Sequence, residues 1–199
     1  MKQIEITVRL TESYEDAIKK IESLGYKFKE ECYIHDIYMT SKLNELSINN
    51  IQYVLKNSVL LRNIKTDEKD IKKITYKNKE FDTNGDVISE KKINVDIQDI
   101  ENAQKLFEAL NFSKLIDVKY KVVAYKKDGV DFAFQLVENL GTMIEYESKK
   151  DFEGKTLEEI NNEKEKLYED LKTTGILFTG EKDVKKAYEL IEKKLRNEI

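Results

Sequence analysis

Proline and tryptophan are missing altogether from these 199 residues, and cysteine and histidine occur once each, as Cys32 and His35. A chain of this length ordinarily holds about ten prolines. The shortfall, beside abundant Lys, Ile, Asn and Glu, reads as codon bias and carries no functional conclusion. A single cysteine excludes an internal disulfide framework and any zinc finger, and it is compatible with a reducing cytosol. Gly-rich phosphate loops of the Walker or Rossmann kind are also missing. No run of about 18 apolar residues occurs, and the opening MKQIEITVRL alternates polar with apolar instead of forming a signal-peptide core, so a cytoplasmic protein with no membrane partner is expected. Thirty-five basic against 39 acidic residues give a net charge of -4. That balance argues against a general nucleic-acid binder but leaves room for a local basic cavity.

What is present is a core of ordinary size, with 40% hydrophobic residues, inside a heavily charged surface, with 37% charged residues. No linker-like stretch divides the chain, so one domain over residues 1–199 is expected. Ile4, Ile6, Val8 and Leu10 alternate with Glu5, Thr7 and Arg9 as in a half-buried strand. Ser13 and Asp16 open a helix through Ala17, Ile18 and Ile21 that Gly25 closes. Tyr26 to Met39 predicts one or two strands, Leu43 to Lys56 a short helix or irregular link, and Ser58 to Lys65 another strand. A hairpin turning at Thr83-Asn84-Gly85-Asp86 joins strands over 74–81 and 87–97. Asp99 caps a helix through Ala103, Leu106 and Phe107. Ile116 to Tyr125 and Asp131 to Val137 form a second hairpin, and Leu140-Gly141 leads into a last strand. Thr156 with Glu159 makes a capping box for a helix ended by Gly175, and a final helix is expected from Asp183. The apolar stripe of that helix, Val184, Tyr188, Ile191 and Leu195, is covered either by the sheet exterior or by a second copy of the chain in a homodimer. This order predicts an α+β fold: an antiparallel sheet or barrel flanked by helices, with two C-terminal helices.

The polar faces of these strands carry both signs of charge. Glu5, Thr7 and Arg9 begin the set; Arg62, then Lys73, Thr75 and Lys77, then Glu90, Lys92, Asn94 and Asp96 continue it. Lys119 with Lys121, Asp131 with Gln135, and Glu145 with Glu147 complete it. One wet face is normal for an antiparallel sheet. Inside a closed barrel, however, such groups must be paired, metal-bound or ligand-bound to offset desolvation. Lys and Arg there can neutralise phosphates, and carboxylates can hold Mg²⁺ or Mn²⁺ bridging phosphate oxygens. His35 reads as a hydrogen-bonded structural group and Cys32 as a small buried one.

The segment Leu140-Gly141-Thr142-Met143-Ile144-Glu145-Tyr146-Glu147, with Glu5-Ile6-Thr7-Val8-Arg9 at the start, resembles motifs of the CYTH superfamily. These triphosphate tunnel metalloenzymes include class IV adenylate cyclases and thiamine triphosphatases. Asp36-Ile37-Tyr38, Leu61-Arg62 and Thr75-Tyr76-Lys77 extend the likeness. The resemblance implies an eight-stranded antiparallel tunnel over about residues 3–150, with the C-terminal helices over about 155–197. It implies a metal-dependent phosphoryl-transfer enzyme acting on tripolyphosphate or on a nucleoside or thiamine triphosphate. The alternatives are a degenerate tunnel that binds polyphosphate or nucleotide without turnover, and a class IV adenylate cyclase. Phosphate would be held by Arg9, Arg62, Lys77, Lys92, Lys119 and Lys121, and Mg²⁺ or Mn²⁺ by Glu5, Asp96, Glu145 and Glu147. No residue is singled out as catalytic, and a one-residue shift would turn Tyr120 and Val122 inward in place of the two lysines. Thr7 and Gln135 stand where the family usually has carboxylates, and Arg9 where it has lysine.

Overall fold

In the computed structural model, residues 4–81, 87–128, 130–148 and 151–199 are described, with the backbone alone for residues 78–81, 87–92 and 130. The turn expected at 83–86 lies outside them. The elements run β1 (Glu5–Arg9), α1 (Tyr14–Ser23), β2 (Lys27–Thr40), a 3-10 turn (Leu43–Glu45), α2 (Ile51–Lys56), β3 (Ser58–Lys65), β4 (Asp70–Phe81) and β5 (Val87–Ile97). Then follow α3 (Ile100–Ala109), β6 (Ser113–Lys127), β7 (Val130–Val137), β8 (Gly141–Glu147), α4 (Leu157–Lys172) and α5 (Lys186–Leu195). The eight strands form one antiparallel sheet in the order β1-β8-β7-β6-β2-β3-β4-β5. It wraps into a tunnel-like trough, since residues of seven strands line one cavity.

Helix starts follow the sequence closely. The Ser13 and Asp99 side chains accept from the backbone N–H of Asp16 and Asn102, and Thr156 with Glu159 makes the complete capping box. Each bond satisfies one of the amides that a helix N-terminus leaves without an internal partner. Gly141, at φ 86°, supplies the left-handed residue that lets β7 turn back into β8.

The apolar strand face points away from the cavity and carries the helices. Ile6, Val8, Phe132, Phe134, Ile144 and Tyr146 pack with α1 and α4 through Ala17, Ile21, Ile160, Leu167 and Leu171. Ile37, Met39 and Leu61 pack with Ala103 of α3. A third cluster borders the cavity: Val184, Ala187, Leu190 and Ile191 meet Val118, Tyr120, Val137 and Met143, with Ile51 and Val54 of α2. Of the stripe expected on the last helix, Val184 and Ile191 are buried against the chain's own sheet and Tyr188 packs beside them, while Leu195 is exposed.

That helix begins three residues later than expected. Residues 177–184 instead follow the outer edge of β1, bending at Gly180 and Lys182: Thr11 N donates to Leu177 O, Thr179 N to Arg9 O, Thr7 N to Lys182 O and Val184 N to Thr7 O, at 2.9–3.1 Å. An edge strand offers unpaired amides and carbonyls, and this strip satisfies them. It also fixes where α5 starts.

Candidate functional site

The cavity inside the trough measures about 340 Å³, within the roughly 300–1,000 Å³ of small-molecule sites. Strand periodicity decides its lining. Alternate residues face inward: Glu5 and Thr7 on β1; Ile34, Asp36 and Tyr38 on β2; Leu60 and Arg62 on β3; Thr75 and Lys77 on β4. On the other side β6 contributes Val118, Tyr120 and Val122, β7 Gln135 and β8 Glu145, while Lys56 of α2 and Asp183, Lys185 and Lys186 of the α5 region complete the wall. Among the described residues, five cations and four carboxylates therefore share it: Lys56, Arg62, Lys77, Lys185 and Lys186 against Glu5, Asp36, Glu145 and Asp183.

Two networks organise these charges. In the first, Arg62 Nε donates to Asp36 Oδ1 and Nη2 to Oδ2, both at 2.6 Å, from directly paired positions on β3 and β2. Tyr120 adds its hydroxyl, accepting from Arg62 Nη2 at 3.2 Å and donating to Asp36 Oδ2 at 3.3 Å. Asp36 is 2% exposed, so the guanidinium is held on the wall by a desolvated, two-pronged pair. Burial works against the Arg62 charge and is the largest single influence on it, but the Asp36 hydrogen bonds together with the electrostatic pull of Tyr120, Asp36 and Tyr38 outweigh it and raise the guanidinium above its already high value. Burial, then the Asp36 charge, also raises the Tyr120 phenol and keeps it protonated.

In the second network Gln135 Nε2 donates to Glu145 Oε2 at 2.6 Å, and Lys186 Nζ donates to Gln135 Oε1. The Lys186 ammonium lies 4.6 Å from the centre of the Tyr120 ring. Burial lowers its pKa; Glu145 acts in the opposite sense, Arg62 adds to the lowering, and Asp36 and Glu5 oppose it.

Of the residues expected to bind phosphate, Arg62 and Lys77 line the cavity. Lys119 and Lys121 do not. The inward residues of β6 are Val118, Tyr120 and Val122, so both lysines fall on the opposite face; Lys121 pairs with Glu31 at 2.8 Å and Lys119 is exposed. Arg9 is spent on the C-terminal helix, donating to Leu140 O at 2.6 Å and pairing with Glu189. Lys92 pairs with Lys77 through the backbone, and its side chain lies outside the described residues.

Of the expected metal ligands, Glu5 and Glu145 face the cavity, whereas Glu147 is not part of its lining and Asp96 is exposed. Glu145 and Glu147 do share a strand face, but Glu147 pairs with Glu5 at the end of β1 and Glu145 with Thr7, one step farther in. His35 bonds Asp117 at 2.9 Å, as expected of a structural histidine, and Cys32 is half-buried on the cavity wall.

These residues do not fit a divalent cation held by protein carboxylates. Hard cations need several oxygen ligands, and among the described residues no three His, Cys, Asp or Glu side chains gather. Both Asp36 oxygens serve Arg62, Glu145 takes the Gln135 amide, and Thr7 adds only a hydroxyl.

Asp36, Tyr120, Lys56, Asp183, Lys185 and Lys186 were not among the expected site residues. The Asp36-Ile37-Tyr38 match and the alternative β6 register signalled the first two. The charged run from Lys182 to Lys186 looks like an ordinary solvated helix start, and only the docking of α5 turns it inward.

No protein-family model matches the chain. A Methanocaldococcus jannaschii protein that carries a provisional adenylate cyclase name is 25% identical over 171 residues, 86% of each chain. A Pyrococcus horikoshii protein of solved structure superposes with a TM-score of 0.72 at 21% identity, over 96% of this chain and 99% of its own. A Hippeastrum protein, provisionally named an adenylyl cyclase and described as having a dominant triphosphatase activity, superposes with a TM-score of 0.59 at 15% identity over 96% of each chain.

Proposed function

We propose that the chain is a divergent member of the CYTH superfamily, and that its tunnel takes up the triphosphate end of a small molecule and carries out phosphoryl transfer there, as a triphosphatase. The observation that carries this reading is the mounting of Arg62. A guanidinium has five N–H donors. Asp36 and Tyr120 take those on Nε and Nη2, while Nη1 makes no hydrogen bond to any described residue. The group is oriented in advance, with donors left for an anion. Lys56, Lys77 and Lys185 on the same wall supply the remaining positive charge for a polyanion.

Such a site works by position and charge. Phosphoryl transfer through a loose transition state asks the protein to fix the phosphate chain and to stabilise charge on its outer oxygens. Oriented, partly desolvated cations do this without reorganising as the reaction proceeds. Divalent-metal dependence belongs to the family expectation and would have to come mainly from oxygens of the substrate, because the wall offers too few. Conversion of a nucleoside triphosphate to a cyclic product is the second activity of the same superfamily. Binding without turnover is favoured by one specific observation, the neutral Thr7 and Gln135 at acidic positions of the family pattern.

The test uses the purified chain with tripolyphosphate, ATP and thiamine triphosphate, in Mg²⁺, in Mn²⁺ and in EDTA. Calorimetric binding is expected for the triphosphates, with affinity reduced about tenfold or more in Arg62→Gln. Released phosphate identifies a triphosphatase, a cyclic nucleotide a cyclase, and binding without either a non-catalytic tunnel. Absence of binding to every one of these ligands refutes the proposal.

A further inference from the structure

We infer that the Lys186 ammonium takes the place of a divalent cation in this tunnel, so that the chain engages a triphosphate without metal. The inference rests on the triphosphate reading of the same cavity and specifies how its charge is balanced.

The placement of Lys186 is fixed by the fold. It is the first residue of α5, and the strip before it is tied to β1 by Val184 N donating to Thr7 O at 2.9 Å. One turn on, Glu189 pairs with Arg9, which also donates to Leu140 O, and Ala187, Leu190 and Ile191 bury the helix against the sheet. The ammonium is thereby delivered to one spot. It sits over the Tyr120 ring, with Gln135 as its hydrogen-bond partner and Glu145, Asp36 and Glu5 as the carboxylates acting on it. Glu5 and Glu145 are the two expected metal ligands that do face the cavity.

Gln135 completes the exchange. Its orientation is forced, because only the carbonyl end can accept from an ammonium and only the amide N–H can donate to a carboxylate. It links Lys186 to Glu145 as a neutral bridge. A carboxylate at this position would suit a dipositive ion, whereas an amide suits a single positive charge. Lys186 and Gln135 thus act together: a neutral amide stands where a metal site would need an acidic ligand, and a covalently attached cation lies against it. An ammonium has three N–H donors, and Gln135 takes one. A phosphate oxygen can accept from another, keeping anion affinity while losing the Lewis acidity of a metal.

The experiment is tripolyphosphate calorimetry on the full chain with EDTA or with Mn²⁺, together with Mn²⁺ titration of the ligand-free protein followed by electron paramagnetic resonance. The expected results are an affinity for tripolyphosphate in EDTA within about threefold of that in Mn²⁺, and a loss of about 10- to 100-fold in EDTA for Lys186→Met. The double variant Lys186→Met with Gln135→Glu is expected to bind Mn²⁺ at least tenfold more tightly than the unmodified chain. If unmodified protein binds tripolyphosphate only with Mn²⁺, or itself binds Mn²⁺ tightly, the inference is overturned while the triphosphate reading stands; neither result depends on a variant folding. If it binds tripolyphosphate in neither condition, the triphosphate reading falls and takes the inference with it.

Discussion

Replacing Asp36 by asparagine removes one charge from the best-defined pair in the tunnel and leaves its shape nearly intact. Asp36 is 2% exposed, and the Arg62 side chain keeps 19% of its accessible surface. Removing one partner of a buried pair costs about 3–5 kcal/mol, because the other charge stays desolvated and uncompensated. Arg62 retains some contact with solvent and with the Tyr120 hydroxyl, so the low end applies. At about 2–4 °C per kcal/mol for a chain of this size, a loss of ~3 kcal/mol lowers the melting temperature by ~6–12 °C. The assay is thermal unfolding followed by circular dichroism, with and without tripolyphosphate. An anion can replace the lost carboxylate as the partner of Arg62, so tripolyphosphate should raise the melting temperature of Asp36→Asn by several degrees more than that of the unmodified chain. A destabilisation under about 1 kcal/mol would refute the claim that the pair is desolvated. An equal ligand shift in both proteins would refute the assignment of Arg62 to the anion site.

Other residues give independent checks. Lys119→Gln and Lys121→Gln should leave tripolyphosphate affinity within about twofold, since both side chains point out of the cavity and act through screening solvent; a tenfold loss by calorimetry would reverse the β6 register. Phe134→Ala should cost about 3–5 kcal/mol in urea unfolding, because its fully buried ring packs on Tyr14 and Phe132 at centroid distances of 5.2 and 5.0 Å. In the α4 capping box, the Thr156 backbone N–H, then Lys155, lower the Glu159 pKa from 4.5 to about 2. A lowered carboxyl stabilises the fold fully above its unfolded value, and that contribution is lost as pH falls from about 4.5 to about 2. The melting-temperature gap between the unmodified chain and Glu159→Ala should therefore be present at pH 7 and shrink through that window. A gap of unchanged size at pH 2 would mean that the ionised cap is not its source.

The sequence alone determined most of the elements and which residues of each strand share a face. Alternation in Glu5 to Arg9 and in Met143 to Glu147 is a local property of the chain, and so are the caps at Ser13, Asp99 and Thr156; all appear in the structure. Alternation by itself pointed only to an antiparallel sheet or barrel, and it was the resemblance to CYTH motifs that implied eight strands around a tunnel with Glu5, Arg62, Lys77 and Glu145 inside, where the structure has them. Register was not. Along 113–127 lysines alternate with apolar residues and tyrosine, and either set could face a polar cavity; only pairing with β2 and β7 put Tyr120 inside and Lys119 and Lys121 outside. Periodicity within a strand says which residues share a face, and a neighbour is needed to say where that face points.

The C-terminal contribution was wholly tertiary. Nothing near Asp183 marks residues 177–184 as an added edge on β1, because their partners lie about 170 positions earlier. Once that strip is laid down, Arg9 leaves the phosphate set for Glu189, and Lys186 reaches Gln135, where the tunnel carboxylates act on its charge. The local pattern specified a chamber lined with both signs of charge, and long-range packing decided which cation would stand among its acids.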